Sequence, residues 1–268
     1  MKHYRILLIS LFFWASTLAN SAHAIPLKFV FHDFAPFSYQ DENEKPAGIL
    51  VELAQRFCQE WLEPCSVSVL PNRRAKHLFA AGEVQGIFLG WNPERATSMW
   101  FSIPMVETEY GFYSLNKLSF NSLTQLSGRT VGVYGPSNTY TSLMLQQQKL
   151  AQLNYEQFTT AIYPQGDELP LKMLSKHRFS AYYVNKEVGR YYAEKLGLNN
   201  LNYFSTHKHI YYCVAFNMEH TSAETVKTFN HEFQRLLNQG KLTDIYQKWQ
   251  MEPAYLDPIM YPEMNMPY

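Results

Sequence analysis

The sequence has no excess of charge of either sign, which argues against a nucleic-acid-binding protein. Lys and Arg together number 23, and Asp and Glu also number 23. Without Lys2 and Arg5, which precede the first long apolar run, 21 basic residues face 23 acidic ones, a net charge of −2. No stretch forms a basic block of the kind that contacts phosphate backbones. We therefore expect neither DNA nor RNA as a partner.

Motifs that would indicate a catalytic or cofactor-binding site are also missing. The chain has no Ser-His-Asp spacing, no phosphate-binding glycine loop and no zinc motif. His207 and His209 could turn both rings to one face of a strand, with Cys213 beyond, but no carboxylate or cysteine cluster accompanies them. We expect no metal and no cofactor. Scattered carboxylates that could do acid–base chemistry are expected to be solvated: Asp33, Glu107, Glu109, Asp167 and Glu187.

Long apolar runs are lacking except near the N-terminus. Lys2 and Arg5 precede the almost wholly apolar residues 6–15, and Ala22-His23-Ala24 offers a small-x-small cleavage site. The run is too short for a comfortable membrane span, and no Cys follows it to suggest a lipoprotein. We expect a signal peptide over residues 1–24, cleaved near Ala24, and a periplasmic protein. An uncleaved anchor is the alternative.

Cysteine is scarce, with three residues in the whole chain. Cys58 and Cys65 flank the predicted end of a helix and the turn after it. In an oxidising compartment, closing so short a loop contributes about 2–3 kcal/mol in the chain-entropy model. Two reduced thiols are the alternative. Cys213 lies in an apolar strand pattern and is expected to be a buried free thiol.

Strand and helix patterns alternate along the chain, first over residues 27–89 and again from residue 130 onwards. The predicted strands are residues 27–31, 66–70, 86–89, 130–134, 179–184 and 211–217. The predicted helices are residues 48–57, 73–81, 140–150, 169–176 and 187–196, a long helix from a capping box at Thr221 and Glu224 to Gly240, and 241–249. Residues after Met251 are expected to be a loose tail. This order predicts right-handed βαβ units on parallel sheets.

One arginine stands out because of the loop that carries it. Gly90-Trp91-Asn92-Pro93-Glu94-Arg95 follows the third strand directly. An arginine there presents a planar, permanently charged fork that can hold a carboxylate through two parallel hydrogen bonds. The alternative is an exposed arginine in a weak surface ion pair.

The order of several short segments resembles bacterial family-3 solute-binding proteins, the periplasmic receptors for polar amino acids. These segments are Ala35-Pro36-Phe37, residues 48–57, residues 80–84, Pro93-Glu94-Arg95 and residues 101–104. Residues 240–249 resemble the C-terminal signature of the family, so the resemblance covers about residues 27–249. The spacing of Cys58 and Cys65 is similar to the disulfide of the histidine and lysine/arginine/ornithine binders.

The resemblance implies an α/β fold of two lobes, the type II periplasmic-binding-protein fold, with a mainly parallel sheet flanked by helices in each lobe. Lobe one would comprise residues 25–113 plus 206–268, and lobe two residues 114–205. Two extended crossovers, near residues 113–115 and 204–207, would join the lobes. The ligand would bind in the cleft between them, at the carboxyl ends of the parallel strands.

The resemblance also implies roles for individual residues in that cleft. Arg95 matches the arginine that grips the ligand's carboxylate, assisted by the backbone N–H at Gly90. Ser137 and Asn138 match a lobe-two turn at a helix N-terminus, whose free amides favour the same anion. Phe34 matches an aromatic residue that packs over the ligand.

Several positions depart from the amino-acid receptors. Asn185 stands where those receptors carry the acid that binds the ligand's ammonium, and Phe31 stands where the receptors for basic amino acids carry an aspartate. Phe88 replaces a small hydroxyl residue, and Trp91 widens the aromatic wall. Arg74 could add a second positive group to the cleft, or could belong to a solvated helix face. These departures favour an anionic or neutral ligand with an apolar or aromatic part.

We therefore expect a monomeric binding protein that captures a small carboxylate for an ABC-transporter membrane component or a membrane sensor. An alternative is an enzyme that resembles the periplasmic cyclohexadienyl dehydratases, with Glu187 or Glu107 as general acid. A further alternative is an orphan sensory receptor whose cleft no longer binds a solute.

Overall fold

The computed structural model describes residues 26–268. The predicted signal peptide lies outside the described residues. The strands are β1 (Leu27–His32), β2 (Tyr39–Gln40), β3 (Pro46–Ala47), β4 (Cys65–Leu70), β5 (Gly86–Gly90), β6 (Met99–Phe101), β7 (Val106–Leu115), β8 (Thr130–Tyr134), β9 (Thr159–Tyr163), β10 (Ala181–Asn185) and β11 (Leu201–Asn217). The α-helices are α1 (Ile49–Glu60), α2 (Asn72–Ala80), α3 (Pro93–Ala96), α4 (Asn138–Gln152), α5 (Glu168–Ser175), α6 (Lys186–Lys195), α7 (Ala223–Asn238) and α8 (Thr243–Lys248).

Two parallel groups of strands are joined by an antiparallel pair at the centre of one sheet. The strand order is β4-β1-β5-β11-β7-β10-β8-β9, with β6 pairing with β11 at the side. Strands β4, β1 and β5 are parallel neighbours, as are β9, β8 and β10. Helices flank both groups, because each strand-to-strand return in a parallel group needs a crossover. The predicted α/β class of two mainly parallel halves is confirmed.

The antiparallel pair of β7 and β11 runs through both halves of the molecule. On one side Tyr212 pairs with Gly90 of β5, and on the other Tyr110 of β7 pairs with Asn185 of β10. Between Ser205 and Lys208 the register of β11 against β7 shifts at a bulge. The boundaries of the two lobes stay a prediction, and so do the crossovers near residues 113–115 and 204–207.

The central pair is longer than the sequence indicated. The sequence predicted a strand over 211–217, whereas β11 already begins at Leu201 and its first part is half-buried or exposed. Polar residues such as Ser205, Thr206 and Lys208 remove the apolar alternation that signals a strand. Pairing with β7 holds this part extended instead.

The main apolar core lies beneath helices α1 and α7. Phe57 of α1 and Phe229 of α7 bring their ring centroids to 4.4 Å, and Phe29 of β1 lies 5.6 Å from Phe229. All three rings are almost completely buried. Burial of such side chains contributes roughly 1.5–3 kcal/mol each, so this cluster fixes the helices on the sheet. A second cluster, around Val131, Leu143 and Tyr183, fills the other half.

The cysteines behave as the spacing indicated. Cys58 and Cys65 form a disulfide that closes the turn from α1 to β4. Cys213 is buried in β11 as a free thiol. Both predictions are confirmed.

Two local predictions were wrong. The long helix α7 is capped by Ser222, whose Oγ accepts from Thr225 N at 3.2 Å, and not by Thr221. The residues after Met251 are not loose, since Tyr261, Met264 and Met266 are buried. Methionine and proline gave no periodic signal here, and tertiary packing holds the segment. Along residues 26–268, no helix is long and apolar enough to cross a membrane.

Candidate functional site

A cavity of about 1300 Å³ lies where the two parallel groups of strands face each other. Its walls come from the loops that follow β1, β5 and β8 and from β11. These loops leave the carboxyl ends of parallel strands, which is where α/β sheets generally bind ligands. Most of the residues singled out from the sequence line it: Phe34, Phe88, Gly90, Trp91, Arg95, Ser137 and Asn138. Among the described residues that line the cavity, Arg74 and Asn185 do not appear.

Arg95 is held in place by its own short helix. The side chain of Asn92 caps α3 by accepting from Arg95 N at 2.8 Å, and Pro93 occupies the first turn. Arg95 Nη1 donates to the carbonyl oxygen of Gly90 at 2.6 Å. The guanidinium is therefore positioned before any ligand arrives.

The charge of Arg95 is not neutralised by an ion pair. Within the described part of the chain, no Asp or Glu lies within ion-pair distance of it. Burial lowers the pKa of Arg95, although the guanidinium stays protonated at any physiological pH. A half-buried cation with no ion-pair partner among residues 26–268 is unusual, because desolvated charges are normally paired. It is suited to receive an anion from solution.

A helix N-terminus faces the same cavity from the other side. Ser137 caps α4 by accepting from Tyr140 N at 3.0 Å, and its hydroxyl donates to Tyr134 O at 2.6 Å. The first N–H groups of a helix have no intrahelical partner and carry partial positive charge. Ser137 and Asn138 therefore add to the potential that favours an anion near Arg95.

Aromatic rings form one wall of the cavity. His32 stacks on Phe88 at 5.2 Å between ring centroids, and the ring of Tyr212 lies 4.9 Å from Phe88. Phe31 stacks behind Phe88 at 6.0 Å. Burial, with a smaller contribution from the charges of Lys76 and Arg95, lowers the pKa of His32 to about 4. His32 is therefore a neutral ring at pH 7, and this wall is apolar.

Arg74, the predicted second cation of the cavity, does not line it, whereas Lys76 on the same helix does. Arg74 is exposed, whereas Lys76 and Asn72 line the cavity. Residues four apart share one face of a helix, and a residue midway between them points to the opposite face. The sequence offered two arginines and one lysine on this helix and no signal strong enough to choose among them.

Asn185 serves the structure of α6. Its Oδ1 accepts from Glu187 N at 3.0 Å and from Val188 N at 3.3 Å, which caps the helix, and Thr108 Oγ1 donates to it at 3.3 Å. The residue is almost completely buried. An Asp could make the same cap, so the cap does not explain why the residue is neutral. Its contact with a ligand stays a prediction.

Asp167, at the start of α5, is a site residue that the sequence reasoning missed. It lines the cavity and accepts a hydrogen bond from the hydroxyl of Tyr182 at 2.5 Å. Burial raises the pKa of Asp167 to about 6. The sequence predicts a solvated carboxylate here, because nothing in its neighbourhood in the sequence indicates that the fold carries it to the cavity.

Of the other candidate carboxylates, Asp33 also lines the cavity, whereas Glu187 and Glu107 form ion pairs. Glu187 pairs with Arg190 at 2.9 Å, and Glu107 pairs with His209 at 2.7 Å. Neither is among the residues that line the cavity. Within residues 26–268, no group of three or more His, Cys, Asp or Glu is placed to hold a metal ion.

Asp167→Asn should stabilise the protein at neutral pH. The folded protein raises the pKa of Asp167 from its ordinary value to about 6, so the folded state binds the proton more tightly than the unfolded state. Between about pH 4 and 6, stability due to this group therefore falls as the pH rises. Above that range the wild type should be less stable than Asp167→Asn by on the order of 2 kcal/mol.

Melting temperatures of both proteins from pH 4 to pH 8 test this expectation. The gap between them should be small at pH 4 and reach several degrees at pH 7.5. A gap that is constant across the range would show that Asp167 is not the titrating group. The amide still accepts from Tyr182, so the local geometry is kept.

Comparison with known proteins places these observations in one family. The model of the bacterial extracellular solute-binding proteins, family 3, matches residues 28–252. No curated protein matches the sequence closely enough to count as a relative.

Solved structures share the fold at low sequence identity. One is a substrate-binding protein of an ABC uptake transporter from Streptococcus pneumoniae, solved with bound histidine. It has a TM-score of 0.69 at 20% identity, over 87% of this chain and 95% of that chain. A histidine kinase sensor domain with similarity to periplasmic binding proteins has a TM-score of 0.68 at 20% identity, over 85% and 98%. The ancestral amino-acid-binding protein AncCDT-1, a precursor of cyclohexadienyl dehydratase, has a TM-score of 0.66 at 16% identity, over 84% and 94%.

Proposed function

Because this chain belongs to the bacterial extracellular solute-binding proteins, family 3, we propose that it captures a small carboxylate-bearing solute in the cavity around Arg95. The observation that carries the proposal is the half-buried guanidinium of Arg95, which is preorganised by Asn92 and Gly90 and pairs with no carboxylate along residues 26–268. The ligand's carboxylate would complete a charge-assisted, bidentate pair.

The other residues that line the cavity indicate the chemistry of the end of the ligand that Arg95 does not hold. Phe34 and Phe88 offer flat apolar rings and His32 a flat uncharged one, which favours an amino-acid-like or aromatic acid. Asp167 lies in the same cavity with no basic partner in the described chain, so it can accept a hydrogen bond from a ligand donor. This carboxylate offers a negative charge that the neutral Asn185 does not.

Capture would work through closure of the two lobes. Arg95 lies in the part of the sheet that holds β5, whereas Ser137 and Asp167 belong to the part that holds β8 and β10. A ligand that touches both sides binds the closed form more tightly than the open one, and that difference drives closure. The closed form would then be delivered to an ABC-transporter component or a membrane sensor in the periplasm.

A thermal-shift screen tests the binding proposal. The panel comprises the standard amino acids, four- to six-carbon dicarboxylates, benzoate and phenylacetate, each matched by chloride of equal ionic strength. At least one carboxylate should raise the melting temperature in a concentration-dependent way, since binding to the folded state alone adds RT ln(1 + [L]/Kd) to stability. Absence of stabilisation by every carboxylate would overturn the proposal and favour an orphan receptor.

An enzyme on the same scaffold is a second candidate, and Asp167 is the observation that favours it. A cavity carboxylic acid with a pKa of about 6 is suited to general acid catalysis near neutral pH. Glu187 is paired with Arg190 and Glu107 with His209, and neither carboxylate lines the cavity. Incubation of the purified protein with prephenate tests this second candidate. Turnover that is lost in Asp167→Asn supports the enzyme, and binding without turnover rejects it.

A further inference from the structure

The last residues of the chain, 253–268, lie beyond the part that matches the family model. We call them the C-terminal segment. The segment is packed against the protein: Tyr261 is 8%, Met264 4% and Met266 2% exposed. Asn230, which is fully buried, donates from Nδ2 to Pro267 O at 2.6 Å and accepts from Ile103 N at 2.9 Å. Residues 261–267 of the segment are therefore tied into the fold.

The C-terminal segment is also bound to the loop that carries Arg95. Trp91 lies just before Arg95 in the chain, and its indole N–H donates to Met264 O at 2.9 Å. Asn265 binds on the other side of Arg95: its side-chain amide donates to Ala96 O, and its carbonyl accepts from Phe101 N at 2.8 Å. These contacts hold both ends of residues 91–96, which we call the arginine loop.

The same segment supplies one wall of the cavity. Its lining residues are Leu256, Met260, Glu263, Met264 and Asn265. Leu145 of α4, which is 56% exposed, lines the cavity as well. The cavity lining therefore includes one apolar residue of α4, Leu145, and three of the C-terminal segment, Leu256, Met260 and Met264.

We infer that the C-terminal segment is part of the ligand-binding site of this protein, and that it selects the end of the ligand that Arg95 does not hold. Leu256 and Met260 favour an apolar or aromatic group there, and the backbone contacts to Trp91 and Ala96 hold the arginine loop in its binding position. This inference rests on the proposed function. It adds to that function a determinant outside the family-matched residues.

Met260→Ala tests the selectivity, with Ile259→Ala as the matched control. Both residues lie in the same 3-10 turn, but Ile259 is 76% exposed and is not among the cavity-lining residues. Titration calorimetry with phenylacetate and with acetate measures the effect. Met260→Ala should weaken phenylacetate binding about 3- to 10-fold and leave acetate unchanged, whereas Ile259→Ala should change neither.

Three results would overturn the inference. Equal losses in Met260→Ala and Ile259→Ala would show a general effect of the turn. Unchanged phenylacetate binding in Met260→Ala would show that the segment does not contact the ligand. A wild type that binds acetate and phenylacetate equally would show that no apolar end is selected. If the wild type binds no carboxylate at all, the proposed function falls too, whereas these three results leave it standing.

A chain ending at residue 252 tests the second half of the inference. It loses the contacts to Trp91, Ala96 and Phe101, so all carboxylates, acetate included, should bind at least 10-fold more weakly. Circular dichroism establishes whether the shortened chain is folded. If it is not, Asn265→Ala replaces it, since that change removes only the side-chain contact to Ala96 O and should weaken acetate and phenylacetate alike. Wild-type acetate affinity in a folded shortened chain, or in Asn265→Ala, would contradict the positioning role.

Discussion

Arg95→Ala should abolish carboxylate binding while leaving the fold intact. Removing one partner of a desolvated, hydrogen-bonded charge pair costs about 2–5 kcal/mol, which corresponds to a rise in Kd of roughly 30-fold to several thousand-fold. The fold should tolerate the change, because Arg95 forms no ion pair within residues 26–268 and its side chain donates only to Gly90 O. Thermal melting without ligand measures the second part, and titration with the best ligand of the screen measures the first.

Two further arginine variants sharpen that result. Arg74→Ala removes an equal charge from an exposed position that does not line the cavity, so it should bind within twofold of the wild type. Arg95→Lys keeps the charge but loses the planar fork, so its affinity should lie between those of wild type and Arg95→Ala. Equal losses in Arg74→Ala and Arg95→Ala would mean that net charge, and not a site, attracts the ligand.

Gly111→Ala should destabilise the protein by about 3 kcal/mol. Gly111 lies on β7 opposite Ser205, beside the bulge where β11 shifts register. A Cβ atom there would lie 2.4 Å from the carbonyl oxygen of Phe204 and 2.5 Å from the ring of Tyr203. Backbone oxygen cannot move aside like the end of a flexible side chain, so the central strand pair itself must distort.

Urea unfolding of Gly111→Ala measures this cost, and Gly90→Ala is the control. Gly90 is also a strand glycine of the same sheet, but its added Cβ would meet only side-chain atoms, the nearest being Tyr212 Cε1 at 3.3 Å. The control should lose about 1 kcal/mol or less. A Gly111→Ala protein as stable as the control would show that the strand pair is more pliable at this point than the packing indicates.

The parts of the fold with strong periodic patterns could be predicted from the sequence. Strand β5 is a continuous apolar run because parallel strands are buried on both faces, and β1 is apolar from Phe29 to Phe31 with Lys28 exposed. Helix α1 repeats apolar residues at i, i+4 and i+8 for the face it packs on the sheet. The order of these elements indicated βαβ units on parallel sheets, and the family resemblance implied their division into two lobes.

Other features depend on contacts between distant parts of the chain. The first half of β11 has a polar, half-exposed sequence and is a strand only because β7 pairs with it. The C-terminal segment has no helical or strand period, and single contacts such as Trp91 Nε1 to Met264 O hold it. The local sequence does not indicate which distant residues will be such partners.

In the candidate site too, some residues could be predicted from the sequence and others could not. Arg95 was recognisable because it follows a predicted strand on a loop with Gly90 and Pro93, and because the family resemblance points to it. Asp167 was not, because its pKa depends on burial in the folded protein and its one side-chain partner, Tyr182, lies on another element. Lys76 lines the cavity in place of Arg74 because of the rotation of α2 against the sheet, which sequence alone does not specify.

Comparing a carboxylate with its own amide tests the central claim most directly. Titration calorimetry would measure wild-type affinity for the best carboxylate of the screen and for the primary carboxamide of the same compound, which has nearly the same shape but no negative charge. If the unpaired guanidinium of Arg95 anchors the ligand, the carboxylate should bind at least 30-fold more tightly, and Arg95→Ala should remove most of that preference. Equal affinity for acid and amide in the wild type would contradict the account.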